Sequence, residues 1–153
     1  MSYVHGYSPR ETQRLREQSE ILEQRLHSGT TYAPGAHVLE VGCGVGAQTR
    51  LLLKRNPNIQ LLSIDISSES LEKAQQLVSS EGYHNVSFEV GTILDLQFEN
   101  LSFDDVFICF VLEHLNEPQK ALAEVKRVLK PGGSITAIEG DHGSFYFHPE
   151  TTL

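Results

Sequence analysis

The chain has few cysteines, few cations and no long apolar run, and each shortage excludes a class of protein. Its 2 cysteines, Cys43 and Cys109, do not form the C-x-x-C spacing of structural metal sites. The 12 Lys and Arg residues are outnumbered by 20 Asp and Glu, which argues against tight binding to a nucleic-acid backbone. No apolar segment approaches the roughly 20 residues that span a bilayer. We expect both cysteines to be small core residues, and neither nucleic acid nor membrane as a partner.

The N-terminus also lacks the features of a secretory signal. Residues 1–5 contain neither a basic cluster nor an apolar stretch, so we expect no signal peptide and a cytoplasmic location. There is no internal repeat and no low-complexity tract, and 153 residues suffice for one domain with a substantial core. The sequence leaves the oligomeric state open.

Strands and helices are predicted to alternate regularly along the chain. The strands are expected at about 37–41, 60–65, 86–90, 105–110 and 134–139, and the helices at about 9–27, 46–55, 68–81 and 117–129. Ser67 or Ser68 is the expected N-cap of the third helix and Asn116 that of the fourth, and 131–133 is the expected turn before the last strand. Such an alternation predicts a doubly wound α/β fold, with a mostly parallel sheet and helices on both faces.

The most informative segment follows the first predicted strand. Gly42, Gly44 and Gly46 alternate there, and Ala47 completes the nucleotide-binding pattern G-x-G-x-x-G/A. Asp65 ends the second strand about 20 residues further on, where a carboxylate accepts the hydroxyls of a ribose. These features together predict a nucleoside ligand at the carboxyl edge of the sheet. A tight strand-to-helix turn without a ligand is the alternative.

Glu40 discriminates between two kinds of nucleoside ligand. Its carboxylate, two residues before the first glycine, would repel the pyrophosphate that a dinucleotide brings to the helix N-terminus. A ligand with a cationic group would be attracted instead. A nicotinamide-dependent oxidoreductase is therefore the less favoured hypothesis, and it also needs a catalytic domain that this sequence lacks.

Residues 40–46 resemble the first motif of the class I S-adenosylmethionine-dependent methyltransferases, acid-x-Gly-x-Gly-x-Gly. Residues 110–118 are similar to the segment after this family's fourth strand, and 121–133 to its last helix and the turn that follows. The resemblance covers about residues 36–140. It implies a Rossmann-like domain over 36–140 with strand order 3-2-1-4-5, an N-terminal helical lid at 1–35, and a tail at 141–153.

The resemblance implies S-adenosylmethionine as cofactor and assigns roles to individual residues. Gly42 and Gly44 would pass under its methionine part, and Glu40 would lie nearby, connected through water or a backbone amide. Asp65 would hold the ribose, and Ile66 would pack on the adenine.

One motif departs from the family pattern. After the third strand, the usual Gly-Asp-Ala is replaced by Gly91-Thr92-Ile93, so the charged contact to the adenine is lost. The Thr92 hydroxyl and the Ile93 backbone N–H would contact the adenine instead. The other positions assigned to the cofactor site are Tyr7, Cys43, Gly46, Gln48 and Phe110.

The predicted reaction is methyl transfer to a small-molecule acceptor by in-line displacement. Because the sulfonium is already activated, the protein mainly aligns the reactants and excludes water. Some acceptors also need a base, for which His114, Asp141 and His142 are candidates, together with His5 and Tyr7 of the lid. The catalytic residue stays unknown, because the resemblance implies that a histidine at the position of His114 more often supports the loop or the cofactor. The His, Cys and Asp residues have no metal-ligand spacing, so we expect no metal.

The chain ends soon after the fifth predicted strand, whereas the class I fold normally has two further strands. We therefore expect a truncated or alternative product of a longer methyltransferase, in which the cofactor site is present and much of the acceptor pocket is absent. A non-catalytic cofactor-binding fragment is the main alternative function.

Overall fold

The computed structural model describes residues 26–140 continuously, together with residues 10, 13–15, 17 and 23. The predictions for His5, Tyr7, Asp141 and His142 fall outside the described residues, as does most of the predicted lid and the whole tail. The division of the chain at residues 36 and 140 stays a prediction.

In the described residues, five strands form one sheet with helices between them. The strands are β1 (His37–Val41), β2 (Gln60–Asp65), β3 (Val86–Val90), β4 (Phe103–Cys109) and β5 (Leu129–Ile138); the helices are α1 (Ala47–Arg55), α2 (Ser68–Ser80) and α3 (Pro118–Val128), with a 3-10 turn at Leu112–His114. The strand order is β3-β2-β1-β4-β5, and all neighbours are parallel. This confirms the predicted doubly wound α/β fold. None of the helices in this part of the chain is long and apolar enough to cross a bilayer.

Helices cover both faces of the sheet because alternate residues of each strand face opposite sides. On one face, Leu39 belongs to a buried cluster with Val125 of α3. On the other face, Val38 and Phe107 are buried with Leu52 of α1 and with residues of α2. Cys43 and Cys109 are both free and buried, as predicted.

The last strand begins earlier than predicted. β5 starts at Leu129, directly after α3, and includes the Pro131-Gly132-Gly133 segment that was expected to form a separate turn. The pairing of β5 with β4 shifts register at this segment. A Cβ at Gly133 would collide with the Asp104 carbonyl oxygen, so the close approach of the two strands requires glycine. The segment is therefore an irregularity within the strand.

The helices differ in how their N-termini are capped. Ser67 caps α2 as predicted, since its Oγ accepts a hydrogen bond from the Ser70 N–H at 3.2 Å. The N-cap of α3 is Glu117 rather than the expected Asn116, and no side chain caps this helix. Pro118 at its first position has no N–H, which leaves one donor fewer to satisfy.

Candidate functional site

The carboxyl ends of β1, β2, β4 and β5 lie along one edge of the sheet, where doubly wound folds bind their ligands. Two loops meet there: residues 42–46 after β1, called the glycine loop, and residues 110–114 after β4, called the β4 loop. The glycine loop first continues the parallel pairing, because the N–H groups of Gly42 and Cys43 both donate to the Ile64 carbonyl, at 2.8 and 3.1 Å.

The three glycines of the glycine loop all have a positive φ, but their surroundings differ. A Cβ at Gly42 would collide with Val111 of the β4 loop, and one at Gly46 would lie 2.9 Å from Ala74 Cα of α2. At Gly44 nothing lies within 4 Å of the Cβ position. Gly42 and Gly46 thus allow close packing of the loop, whereas Gly44 leaves open space in which a ligand can approach the main chain.

Asp65 holds the glycine loop from the neighbouring strand. Its Oδ2 accepts the Gly44 N–H and its Oδ1 accepts the Ser67 N–H, each at 2.9 Å. The residue is 9 % exposed. An ionised carboxylate has about four acceptor positions, so two remain for further donors.

Glu40 lies beneath the glycine loop and is 1 % exposed. Its Oε2 accepts hydrogen bonds from Thr49 Oγ1 at 2.7 Å and from Ser63 Oγ at 2.6 Å. Burial raises the pKa of Glu40 to about 7, although these two hydrogen bonds oppose the shift. At this depth any contact with a ligand would be indirect, as the resemblance implies.

An apolar surface lies beside Asp65. Ile66 directly follows β2 and is 61 % exposed. Val90 is the last residue of β3, pairs with Asp65 and is 66 % exposed. Exposed aliphatic side chains next to the position at which a ribose is expected suit the flat face of a purine. Thr92 and Ile93 lie just beyond. The Thr92 Oγ1 accepts the Leu94 N–H at 3.3 Å, and the Ile93 side chain is buried in the core.

Gln48 is engaged with a histidine that the sequence analysis missed. Its Oε1 lies 2.7 Å from Nε2 of His27, which is fully buried and stacks on Phe107 at 5.4 Å between ring centroids. Burial lowers the pKa of His27. The pair connects the segment before β1 to α1, and its side chains are far apart in sequence, so no local pattern could have revealed it.

The β4 loop is held by a carboxylate that was not among the predicted site residues. Glu139, directly after β5, accepts the N–H groups of Val111 and Leu112 at Oε1, at 3.3 and 3.0 Å, and that of Glu113 at Oε2, at 3.2 Å. In return, Oε2 of Glu113 accepts the Gly140 N–H at 2.9 Å. The available signal was the position of an acid at the end of a strand, which is also the position of Asp65.

The two remaining predicted residues of the β4 loop are Phe110 and His114. Phe110 is not a glycine but has a φ of 56°, a strained conformation of the kind that clusters at functional sites. His114 Nε2 lies 3.5 Å from Glu113 Oε1. His114 is the candidate base that lies within the described residues. In that part of the chain, no three His, Cys, Asp or Glu side chains are grouped so that they could hold a metal ion.

Comparisons with known proteins agree with the fold. A family model described as a methyltransferase domain matches residues 39–137. An uncharacterised methyltransferase of Schizosaccharomyces pombe is 37 % identical over 74 % of this chain and 43 % of its own length. A demethylmenaquinone methyltransferase of Staphylococcus aureus is 35 % identical over 80 % of this chain and 51 % of its own length. The chain thus spans about half the length of these curated relatives.

A solved structure shares the fold over a larger part of its own chain. The crystal structure of a SAM-dependent methyltransferase from Aquifex aeolicus superposes with a TM-score of 0.74 at 27 % identity. The match covers 88 % of this chain and 73 % of that one.

Proposed function

This chain belongs to the class I S-adenosylmethionine-dependent methyltransferases, and we propose that it transfers the methyl group of that cofactor to a small-molecule acceptor. One observation carries the proposal: Gly44 presents open main chain directly beside the Asp65 carboxylate, at the carboxyl edge of the sheet. One relative is named a demethylmenaquinone methyltransferase, and that name supports a small organic acceptor.

The residues at this edge fit S-adenosylmethionine. The two acceptor positions left on Asp65 can take both ribose hydroxyls without breaking the bonds to Gly44 and Ser67. Ile66 and Val90 offer an apolar platform for the adenine. Open space at Gly44 leaves room for the methionine part, and the acid beneath the loop favours its cationic groups. When bound, the cofactor supplies a methyl group on a sulfonium, which is already activated for displacement.

The chain's own residues then have two tasks. The glycine loop and Asp65 orient the donor, and alignment of this kind contributes much of the rate in a displacement that needs little other chemistry. Where the acceptor must lose a proton, His114 is the candidate base within the described residues. The cytoplasmic location belongs to the same proposal, and cell fractionation tests it.

Calorimetric titration tests the ligand. We expect the protein to bind S-adenosylmethionine and S-adenosylhomocysteine and not NAD. Binding of NAD without S-adenosylmethionine would overturn the proposal. Tight binding of the donor with no methyl transfer to quinone-like or other small acceptors would support a cofactor-binding module instead.

Asp65→Ala tests the site itself. We expect the substitution to weaken S-adenosylhomocysteine binding by about 1–3 kcal/mol, because charge-assisted bonds to the ribose are lost. Glu99→Ala, at an exposed position beside the amino end of β4 and so away from the carboxyl edge, serves as the control and should leave the affinity unchanged. Equal affinities of the two variants would exclude Asp65 as the ribose acceptor.

A further inference from the structure

Glu139 satisfies the main chain of the β4 loop from outside the loop. Its two carboxylate oxygens accept three consecutive N–H groups, those of residues 111–113. Hydrogen bonds to a charged acceptor are about twice as strong as neutral ones. Without this side chain, the three N–H groups lose the acceptors that the structure gives them, and the loop loses its attachment to β5.

The position of the β4 loop matters because Val111 lies against the glycine loop. The Val111 Cγ2 atom occupies the space that a Cβ at Gly42 would need. Any displacement of Val111 therefore opens or closes the gap at Gly42, two residues before the open main chain of Gly44. Contacts of this kind transmit small shifts because packed groups yield little.

We propose that Glu139 is a positioning residue for methyl-donor binding. It fixes the β4 loop, the β4 loop sets Val111 against Gly42, and this contact holds the glycine loop in its binding conformation. The inference rests on the proposed function of that same site. Glu139 itself does not touch the donor in this scheme, because its oxygens face the β4 loop.

The main variant is Glu139→Gln, which preserves size but removes the charge and puts an amide nitrogen where an acceptor is needed. We expect S-adenosylhomocysteine to bind roughly five- to tenfold more weakly, on the scale of one hydrogen bond. Glu89→Gln, an exposed acid near the end of β3, is the matched control and should bind like the unaltered protein. Titrations are made well below the melting temperature of each variant, so that unfolding does not contribute.

A purely local stabilising role is distinguished by two further readouts. In amide NMR spectra without ligand, Glu139→Gln should shift the Gly44 resonance as well as those of residues 111–113. Val111→Ala removes the transmitting contact, so it should weaken binding too, and the double variant should bind no more weakly than the weaker single one. Additive losses, or an unmoved Gly44 resonance, would overturn the proposal.

The outcomes also separate this inference from the function on which it rests. Failure of the unaltered protein to bind S-adenosylhomocysteine would refute the proposed function, and with it the role of Glu139 in donor binding. Binding by the unaltered protein with no loss in Glu139→Gln would refute the positioning role alone.

Discussion

The adjacent strands β1 and β4 end in loops built on the same plan, yet only the loop after β1 depends on glycine. The residue after each strand, Gly42 or Phe110, has a left-handed φ of 71° or 56°. Each donates its N–H at 2.8 Å to a carbonyl near the end of the strand on its other side, that of Ile64 in β2 or of Ile138 in β5.

The residue after each of these two isoleucines, Asp65 or Glu139, is an acid that accepts N–H groups from the facing loop. Asp65 accepts from Gly44 at 2.9 Å, and Glu139 accepts from Leu112 at 3.0 Å, which is the equivalent position two residues after Gly42 or Phe110. The loops differ in how accessible their main chain is to a ligand. Gly44 has no side chain and leaves its main chain accessible beside Asp65. Every residue of the β4 loop carries a side chain, and Glu139 accepts three of the loop's N–H groups. One loop is therefore suited to bind a ligand and the other to be held in place.

The largest expected loss of stability is that of Gly42→Ala, which disturbs the contact between the two loops. A left-handed alanine costs about 1–2 kcal/mol, and its Cβ would also displace Val111, which adds an overpacking cost of about 1–3 kcal/mol. Gly44→Ala is the control, since it has the same sign of φ but open space. We expect chemical denaturation to show the lower free energy of unfolding for Gly42→Ala. Equal losses of unfolding free energy in the two variants would mean that Val111 does not pack tightly against Gly42.

Glu40 marks the second difference between β1 and β4. It stands two residues before Gly42, whereas the residue two positions before Phe110 is the buried, apolar Ile108. The unfolded chain ionises a glutamate near pH 4.5, whereas burial raises the pKa of folded Glu40 to about 7. Between these values the folded state binds more protons than the unfolded state. Stability should therefore fall as pH rises from 4.5 to 7, by on the order of 3 kcal/mol from this group.

Glu40→Gln removes the titrating group and keeps its shape. We expect the difference in unfolding free energy between the unaltered protein and this variant to change across that pH window and to be constant above it. Urea denaturation at several pH values measures this difference. A difference that is independent of pH would show that the pKa of Glu40 in the folded protein is not raised above its value in the unfolded chain.

The smallest expected effects on stability come from the N-termini of α2 and α3. Ser67→Ala removes the cap of α2 and should cost about 1 kcal/mol. In the other half, α3 lacks a side-chain cap, so Glu117→Ser should gain up to about 1 kcal/mol. Thermal unfolding compares the two. If both substitutions changed the melting temperature in the same direction, the N-termini of α2 and α3 would not differ in capping as their hydrogen bonds indicate.

Local sequence patterns predicted the region from β1 to β3 better than the region from β4 to β5. The bounds of β2 and β3 agree with the apolar runs that predicted them, and the glycine loop and Asp65 lie together as their spacing indicated. The role of Glu139 depends instead on the register of β5 against β4. That register includes the irregularity at 131–133, which arises from contact between strands and leaves no periodic signal.

The attachment of the β4 loop to Glu139 also determines what can vary in the loop. These bonds use the main-chain N–H groups of residues 111–113, so they do not depend on the side chains of Leu112 and His114. The loop can therefore exchange those side chains and keep its place beside the donor site. Under the proposed function, substitutions at these two positions would change the surface beside the donor site without detaching the loop from Glu139.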